Sequence, residues 1–455
     1  MPKPENENLG LGWRITKGGD YKIDLPPLSP GEEAVVLAVE KDFGAIAREK
    51  RIAPSEVERE LSAAVSRHAE KEGLMLDSAQ KRYIARYAKM HVYGFAFLDE
   101  LLGNDNIKEI SVIGVGKPAY VFIRKRGWQE VNAVFESERA LMDVVNKMAG
   151  GIGRRITLQQ PRLDAMLPGG SRLHASLHPV SSGEITIRKF RQSPFSPREI
   201  AELGTVDYRA MAFLSMLMQT DSSVLIAGNT ASGKTTTLNA LFSFVPRNER
   251  IVITEETPEI SIPHAQQVRL VANREMGITL KDLVYDSLRM RPDRIIVGEV
   301  RNREEAEALF DVLLGGQARG AYATFHAQSA GEALLRLGKF GVAEMDLQSI
   351  DAIVVQRRLL VYDTKKRSAA EARRIVEIAE ICCGGKRAGS VFAYSKGRWD
   401  YSGGALCGKI AEEFGMNARE FGKEMAAREK WLRSASADFR EFFAQAQKRF
   451  YNFGD

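Results

Sequence analysis

At 455 residues, with 44% hydrophobic and 27% charged residues, the chain has the composition of a folded protein of two or three domains, not of a disordered segment. Lys and Arg total 65 against 59 Asp and Glu, a net charge of +6, too mild an excess to single out nucleic acid or a lipid surface as partner. The opening MPKPENENLGLGWR lacks the apolar stretch of a signal peptide, and no run of about 18 apolar residues is present to span a bilayer, so the chemistry is expected to face the cytoplasm.

Residues 1–90 carry no readable chemistry. After the loop-like LPPLSPGEE, the segments VERELSAAVSRHAEKEG and SAQKRYIARYAKMHVYG place apolar residues at helical spacing, as at Leu61, Val65 and His68, and predict small amphipathic helices. From 91 to 190 the texture changes to strands: IKEISVIG and AYVFIRKRG flank the turn VGKP. A helix over SERALMDVVNKMAGG starts on the cap Ser137 and stops at Gly150 and Gly151, before further strands at RLHASLHPV and EITIRKF. This is an α/β stretch with no phosphate loop of its own. Two prolines and clustered polar residues make 191–199 a linker. From about 200 to 362, within a domain that runs to 455, strands alternate with helices, which predicts a mainly parallel sheet covered on both faces. Its tail, from about 363, opens with the strands RRIVEIAEI and SVFAYSKG and closes in charged helices. Cys382, Cys383 and Cys407 lack the spacing of a zinc site and read as reduced thiols.

Within the third stretch, GNTASGKTT, residues Gly228, Asn229, Thr230, Ala231, Ser232, Gly233, Lys234, Thr235 and Thr236, contains the pattern G-x-x-x-x-G-K-[ST] between the apolar SSVLIAG and the helix-prone TTTLNALFSFV. Strand, glycine-rich loop and helix in that order let backbone N–H groups and a helix N-terminus converge on a phosphate. Lys234 would then reach the β- and γ-phosphates of ATP, and Thr235 would hold Mg²⁺. A second acidic group must manage metal and water. RPDRIIVGEVR provides Glu299 at the end of the strand Ile295–Val297, able to polarise water or help hold Mg²⁺. Between these lies RIVITEETPEI, whose Glu255, Glu256 and Glu259 would repel one another unless a cation or arginines compensate. A further strand, AYATFHA, ends on His326, a candidate for sensing the γ-phosphate.

These four elements in this order resemble the secretion ATPases of the type II/type IV superfamily, which includes VirB11-like secretion ATPases and the motors of type IV pili and of the archaeal flagellum. The family's Asp box, the strand ending G-E-x-R and the His box correspond here to TEETPE, VGEVR and QARGAYATFHA. The resemblance covers about residues 91–362 and extends through a tail like that of the archaeal branch. It implies a RecA-like P-loop NTPase core preceded by a smaller α/β, PAS-like domain and a helical N-terminal extension. It further implies ATP between the two domains, with Arg172 and Arg188 of the first domain reaching phosphate and Arg301 as another candidate. Two departures stand out. Glu256 occupies the usual aspartate position, and Arg319 replaces the first histidine of the His box, which makes it either a phosphate-facing cation or an intersubunit contact.

By that resemblance the chain is a Mg²⁺-dependent ATPase motor working as a homo-oligomer, a hexamer. At the inner face of the cell membrane it would push a polytopic platform protein, and through it pilin-like or secreted substrates. A nucleic-acid translocase or helicase of the RecA-like class shares the loop chemistry, but no basic, aromatic-rich strand-binding cluster accompanies it. A non-enzymatic nucleotide-binding subunit is disfavoured by intact Lys234, Thr235 and Glu299.

Overall fold

In the computed structural model, which describes residues 11–49, 56–123, 126–151, 153–189, 191, 193–273, 276–363 and 367–453, the chain divides into two compact units, Met1–Gln192 and Ser193–Asp455. The first opens with strand β1 (Trp13–Ile15) and three helices, α1 (Pro30–Glu49), α2 (Val57–Lys71) and α3 (Ser78–Val92). Then come α4 (Leu98–Leu102), β2 (Ile107–Val112), β3 (Pro118–Ile123), β4 (Gly127–Phe135), α5 (Glu138–Gly150), β5 (Arg162–Met166), β6 (Arg172–Ser176) and β7 (Glu184–Arg188). Local chemistry starts the helices. Asp77 and Gln80 form a reciprocal capping box ahead of α3, and the Ser137 hydroxyl accepts the Ala140 N–H at 3.2 Å ahead of α5.

The seven strands make one antiparallel sheet in the order β1-β4-β3-β2-β7-β6-β5. Alternation decides which face is apolar, as in β7, where Ile185 and Ile187 are buried between partly exposed neighbours. A single core then joins Leu61 and Val65 of α2 and Ile84 of α3 to Ile110, Val121 and Ile187 of the sheet. Residues on both sides of position 90 thus share one core. The amphipathic helices bury their apolar stripes against the same core as the strands, and with β1 they belong to one unit ending at Gln192.

The second unit begins with α6 (Pro197–Glu202), capped by Ser196 with proline in the first turn, and α7 (Tyr208–Leu217), capped by Asp207. There follow β8 (Val224–Gly228), α8 (Lys234–Leu241), β9 (Ile251–Glu255), β10 (Gln267–Val271), α9 (Leu280–Leu288), β11 (Arg294–Val300), α10 (Arg303–Gly315), β12 (Gly320–Phe325) and α11 (Ala330–Lys339). The chain ends with β13 (Ala352–Asp363), β14 (Ser368–Cys382), β15 (Arg387–Ser395), β16 (Arg398–Tyr401), α12 (Ala405–Glu413), α13 (Ala418–Ser434) and α14 (Phe439–Tyr451).

Nine strands form one sheet in the order β10-β9-β11-β12-β8-β13-β14-β15-β16. Pairing is parallel from β10 to β13 and antiparallel from β13 to β16. The parallel core matches the expectation, and the tail strands extend the same sheet instead of forming a separate layer. Both faces are covered. Val224 and Ile226 of β8 enter one core with α7, α8 and α13, while Leu225 and Ala227 enter another with α9, α10 and α11. Burial on both sides is why these strands read as unbroken apolar runs.

Candidate nucleotide-binding site

β8 lies between β12 and β13, and its last residue, Gly228, sits where no side chain fits: a Cβ there would come 2.1 Å from the Gln356 carbonyl oxygen and 2.5 Å from the Ser232 hydroxyl. The loop then takes left-handed backbone at Ala231 (φ 60) and Gly233 (φ 98), the kind of conformation from which anion-receiving concavities are built. Gly233 also caps α8 without any side-chain bond to the first helical N–H groups, so those donors face the loop. Lys234 opens the helix with its side chain 8% exposed, donating to the carbonyl oxygens of Gly228 at 3.1 Å and Asn229 at 3.5 Å. Burial holds this ammonium below the usual lysine range, against the pull of Glu299. Thr230 and Ala231 are exposed at the loop tip, and Thr236 is half-buried.

The acidic residues approach from neighbouring strands. β12 separates β11 from β8, yet Glu299 of β11 still reaches the loop, with its Oε1 3.8 Å from Lys234 Nζ and 2.8 Å from His326 Nε2. Its Oε2 accepts from Arg301 Nε at 2.6 Å, and the same guanidinium pairs with Glu256. Lys234, Glu299, His326, Arg301 and Glu256 thus form one chain of contacts at the C-terminal ends of the parallel strands. Burial, followed by the nearby Lys234 charge, pushes His326 below the usual imidazole range, which keeps the ring neutral near pH 7.

The three glutamates at and just after the end of β9 avoid mutual repulsion in three ways. Glu255 turns inward: its Oε1 accepts the N–H groups of Glu259 at 2.7 Å and Ile260 at 2.8 Å, and its Oε2 lies 3.4 Å from Arg269 Nε. It shapes the turn that presents the other two. Glu256 goes to Arg301. Glu259 accepts the Thr235 hydroxyl at 3.4 Å.

Arg172 and Arg188 are cross-strand partners on β6 and β7 within the first unit, each facing its own carboxylate, Asp164 at 3.8 Å and Glu109 at 3.6 Å. Arg319 is not a phosphate-facing cation. It precedes β12 at the N-terminal ends of the parallel strands, opposite to the loop, and donates to Asp221 and Glu249, each at 2.8 Å. There it adjoins Arg294, which is fully buried and held by Glu249 at 2.7 Å. Residues outside the motifs also belong to the site. Arg269 stands 3.4 Å from Glu255, and Gln356 of β13 and Arg373 of β14 bond to the loop's own carbonyl oxygens. Only Gln356 left a trace in the sequence, as a lone amide in the apolar run AIVVQ.

The donor set suits a nucleoside triphosphate with a hard divalent cation. Ser232 Oγ is buried without a hydrogen-bond partner inside the loop, and the Thr235 hydroxyl beside the Glu259 carboxylate offers oxygen ligands only. Among the described residues no group of three His, Cys, Asp or Glu side chains could hold a metal. Such a cation would therefore complete its shell with phosphate oxygens and water, as Mg²⁺ does.

Residues 93–398 match the family described as Type II/IV secretion system protein. The chain is similar to an uncharacterized protein of Methanocaldococcus jannaschii, 35% identical over 252 residues that cover 52% of this chain and 35% of that one. It thus spans about a third of that relative's length. It is also similar to the type IV secretion system protein VirB11 of Bartonella quintana, at 28% identity over 49% of this chain and 74% of that one. Among solved structures, the Legionella pneumophila ATPase DotB is similar at 17% identity over 78% of this chain and 91% of that one, with a TM-score of 0.47. No helix among the described residues is long and apolar enough to cross a membrane. With well over half of its length matching one family, and with that family's four motifs brought to adjacent strand ends, the chain belongs to the type II/IV secretion system proteins.

Proposed function

We propose that this protein is an ATPase motor of the secretion and pilus class, hydrolysing ATP to ADP and phosphate to do mechanical work. The observation that carries the reading is the convergence of Lys234 at the start of α8, Glu299 of β11 and His326 just after β12 on one glycine loop. Lys234 is buried against two carbonyl oxygens with the Glu299 carboxylate 3.8 Å away, so a polyphosphate would find a largely desolvated cation there. The loop and first-turn N–H groups would carry the remaining phosphate charge. Thr235, with Glu299 or Glu259, would hold Mg²⁺, which when bound neutralises charge developing on the β- and γ-phosphate oxygens.

Glu299 is the group to orient the attacking water and accept its proton. Arg301 and His326 bond to its two oxygens and keep it aimed. His326, neutral and hydrogen-bonded to Glu299, would register whether the γ-phosphate is present. Arg301 ties Glu256 to Glu299, so a shift of the turn after β9 is felt at the catalytic carboxylate. Arg172 and Arg188 are the proposed phosphate-contacting arginines of the first unit.

The working assembly is proposed to be a homo-oligomer, a hexamer, on the inner face of the cell membrane. It would act on a polytopic platform protein and, through it, on a type IV pilus-like or archaeal flagellar filament or a secreted protein. Family membership supports the general class.

The test is ATPase activity and nucleotide binding of the purified chain beside two variants. Lys234→Ala is expected to lose ATP binding. Glu299→Gln is expected to bind Mg·ATP while turnover falls by about 10²-fold or more, the usual range for a lost general base. Unchanged turnover in both variants would sink the assignment.

A further inference from the structure

The phosphate loop is gripped from outside as well as within. β13 runs parallel to β8 only as far as Gln356, which pairs with Gly228. Beyond it, Arg357–Asp363 pairs with Ser368–Arg374 of β14 and, among the described strands, with no other. A two-stranded ribbon therefore rises beside the loop.

At its root, Gln356 is 2% exposed and turns to the loop. Its Nε2 donates to the Ser232 carbonyl at 2.9 Å, and its Oε1 accepts the Thr237 hydroxyl at 2.5 Å, bridging the loop to α8. From the facing strand Arg373 Nε donates to the Ala231 carbonyl at 3.0 Å, and from β13 itself the Arg358 backbone N–H donates to Asn229 Oδ1 at 3.3 Å. The fit is tight: a Cβ on Gly233 would come 2.8 Å from Gln356 Nε2 and 3.5 Å from Arg373 Cδ.

A trans peptide is planar, with its C=O and the following N–H pointing in opposite directions. Holding the Ser232 carbonyl outward therefore aims the Gly233 N–H the other way, and fixing the Ala231 carbonyl sets the adjoining peptide plane. Without these bonds the loop would have to order itself around each incoming anion, and that ordering would weaken binding.

We propose that Gln356 and Arg373 are positioning residues that hold the phosphate loop in its anion-receiving shape before nucleotide arrives, so that the ribbon's place on the sheet sets nucleotide affinity. The inference rests on the nucleotide reading above. It assigns these two side chains no contact with the reacting atoms.

The experiment measures Mg·ADP affinity by calorimetry on the full chain, together with KM and kcat for ATP and thermal melting as a folding control. Gln356→Leu is expected to weaken Mg·ADP binding about tenfold, and Arg373→Ala about threefold, the scale of one or two hydrogen bonds. KM should rise by similar factors while kcat changes less than about twofold, because the loss is in binding and not in the chemical step. Arg373→Lys, which keeps a donor of similar reach, should return affinity to within about twofold of the parent. Parent-like affinity in both Gln356→Leu and Arg373→Ala overturns the proposal, as does a loss confined to kcat. If Gln356→Leu does not fold, the exposed Arg373 variants decide alone. A parent chain that binds no Mg·ADP overturns the nucleotide reading itself, an outcome separate from variants that match a binding parent.

Discussion

Two buried residues of the second unit, Glu255 and His264, give its stability a testable pH signature. Burial pushes the Glu255 carboxyl up to about 7, from an ordinary 4.5. The folded state therefore holds this proton longer than the unfolded one. Its stabilising effect is complete below about pH 4.5 and is lost as pH rises towards 7. His264, packed against Phe242 and Phe443 with Nδ1 unpartnered, is pushed down to about 4 by burial, from an ordinary 6.5. Its contribution has the opposite sign: complete above about pH 6.5, lost as pH falls towards 4. Between pH 4.5 and 6.5 the two trends oppose each other. Relative to the parent, Glu255→Gln should make stability rise more with pH across that window and His264→Phe should make it fall more, each by roughly 2–3 kcal/mol. Urea midpoints at three pH values test this; a parent-like profile in both variants refutes it. At this scale the sequence was legible for residue identity and not for direction. TEETPE announces three carboxylates, but only the fold turns Glu255 into two backbone N–H groups and sends Glu256 to Arg301. Gln356 was visible only as a polar interruption in a strand, since nothing local says which neighbour will need its amide.

Elements obey the same distinction. Helix starts were readable because caps act within one turn: Ser137 ahead of α5 does what its position implies. The β8–loop–α8 unit was equally readable, because strand, glycines and helix are contiguous. Strand order was not. That β12 lies between β8 and β11, so that Glu299 reaches the loop across a strand, depends on pairing between segments far apart in the chain. The close approach of β8 to β13 gives a prediction with an internal control. Gly228→Ala forces a Cβ to 2.1 Å from the Gln356 carbonyl oxygen and should cost about 1–3 kcal/mol in urea unfolding, the usual penalty of overpacking. Gly422, exposed inside α13 with nothing within 4 Å of an added Cβ, should respond oppositely: Gly422→Ala gains about 0.5–1 kcal/mol from helix propensity. Equal effects at the two sites would show that the β8–β13 contact is looser than described.

For the whole molecule, separate cores imply separate cooperativity. Trp13 and Trp128 belong to the first unit, and Trp399 and Trp431 to the second. Residues 193–455 expressed alone should keep a cooperative urea transition, because their cores draw only on residues of that unit. Limited proteolysis of the full chain should cut first near residues 191–196. A non-cooperative fragment would refute this division. The sequence by itself determined the strand–glycine loop–helix unit, the acidic strand ends, the place of His326 after a strand, the helical spacing of α2 and α3 and the parallel α/β class, because each is a pattern of neighbouring residues. Tertiary structure alone decided that α1–α3 share a core with the first sheet, that the tail strands lengthen the second sheet, and that Arg319 lies opposite to the nucleotide loop. The physical reason is common to all three: burial and ion pairing join residues that the chain separates by tens to hundreds of positions, and no local pattern encodes which of them meet.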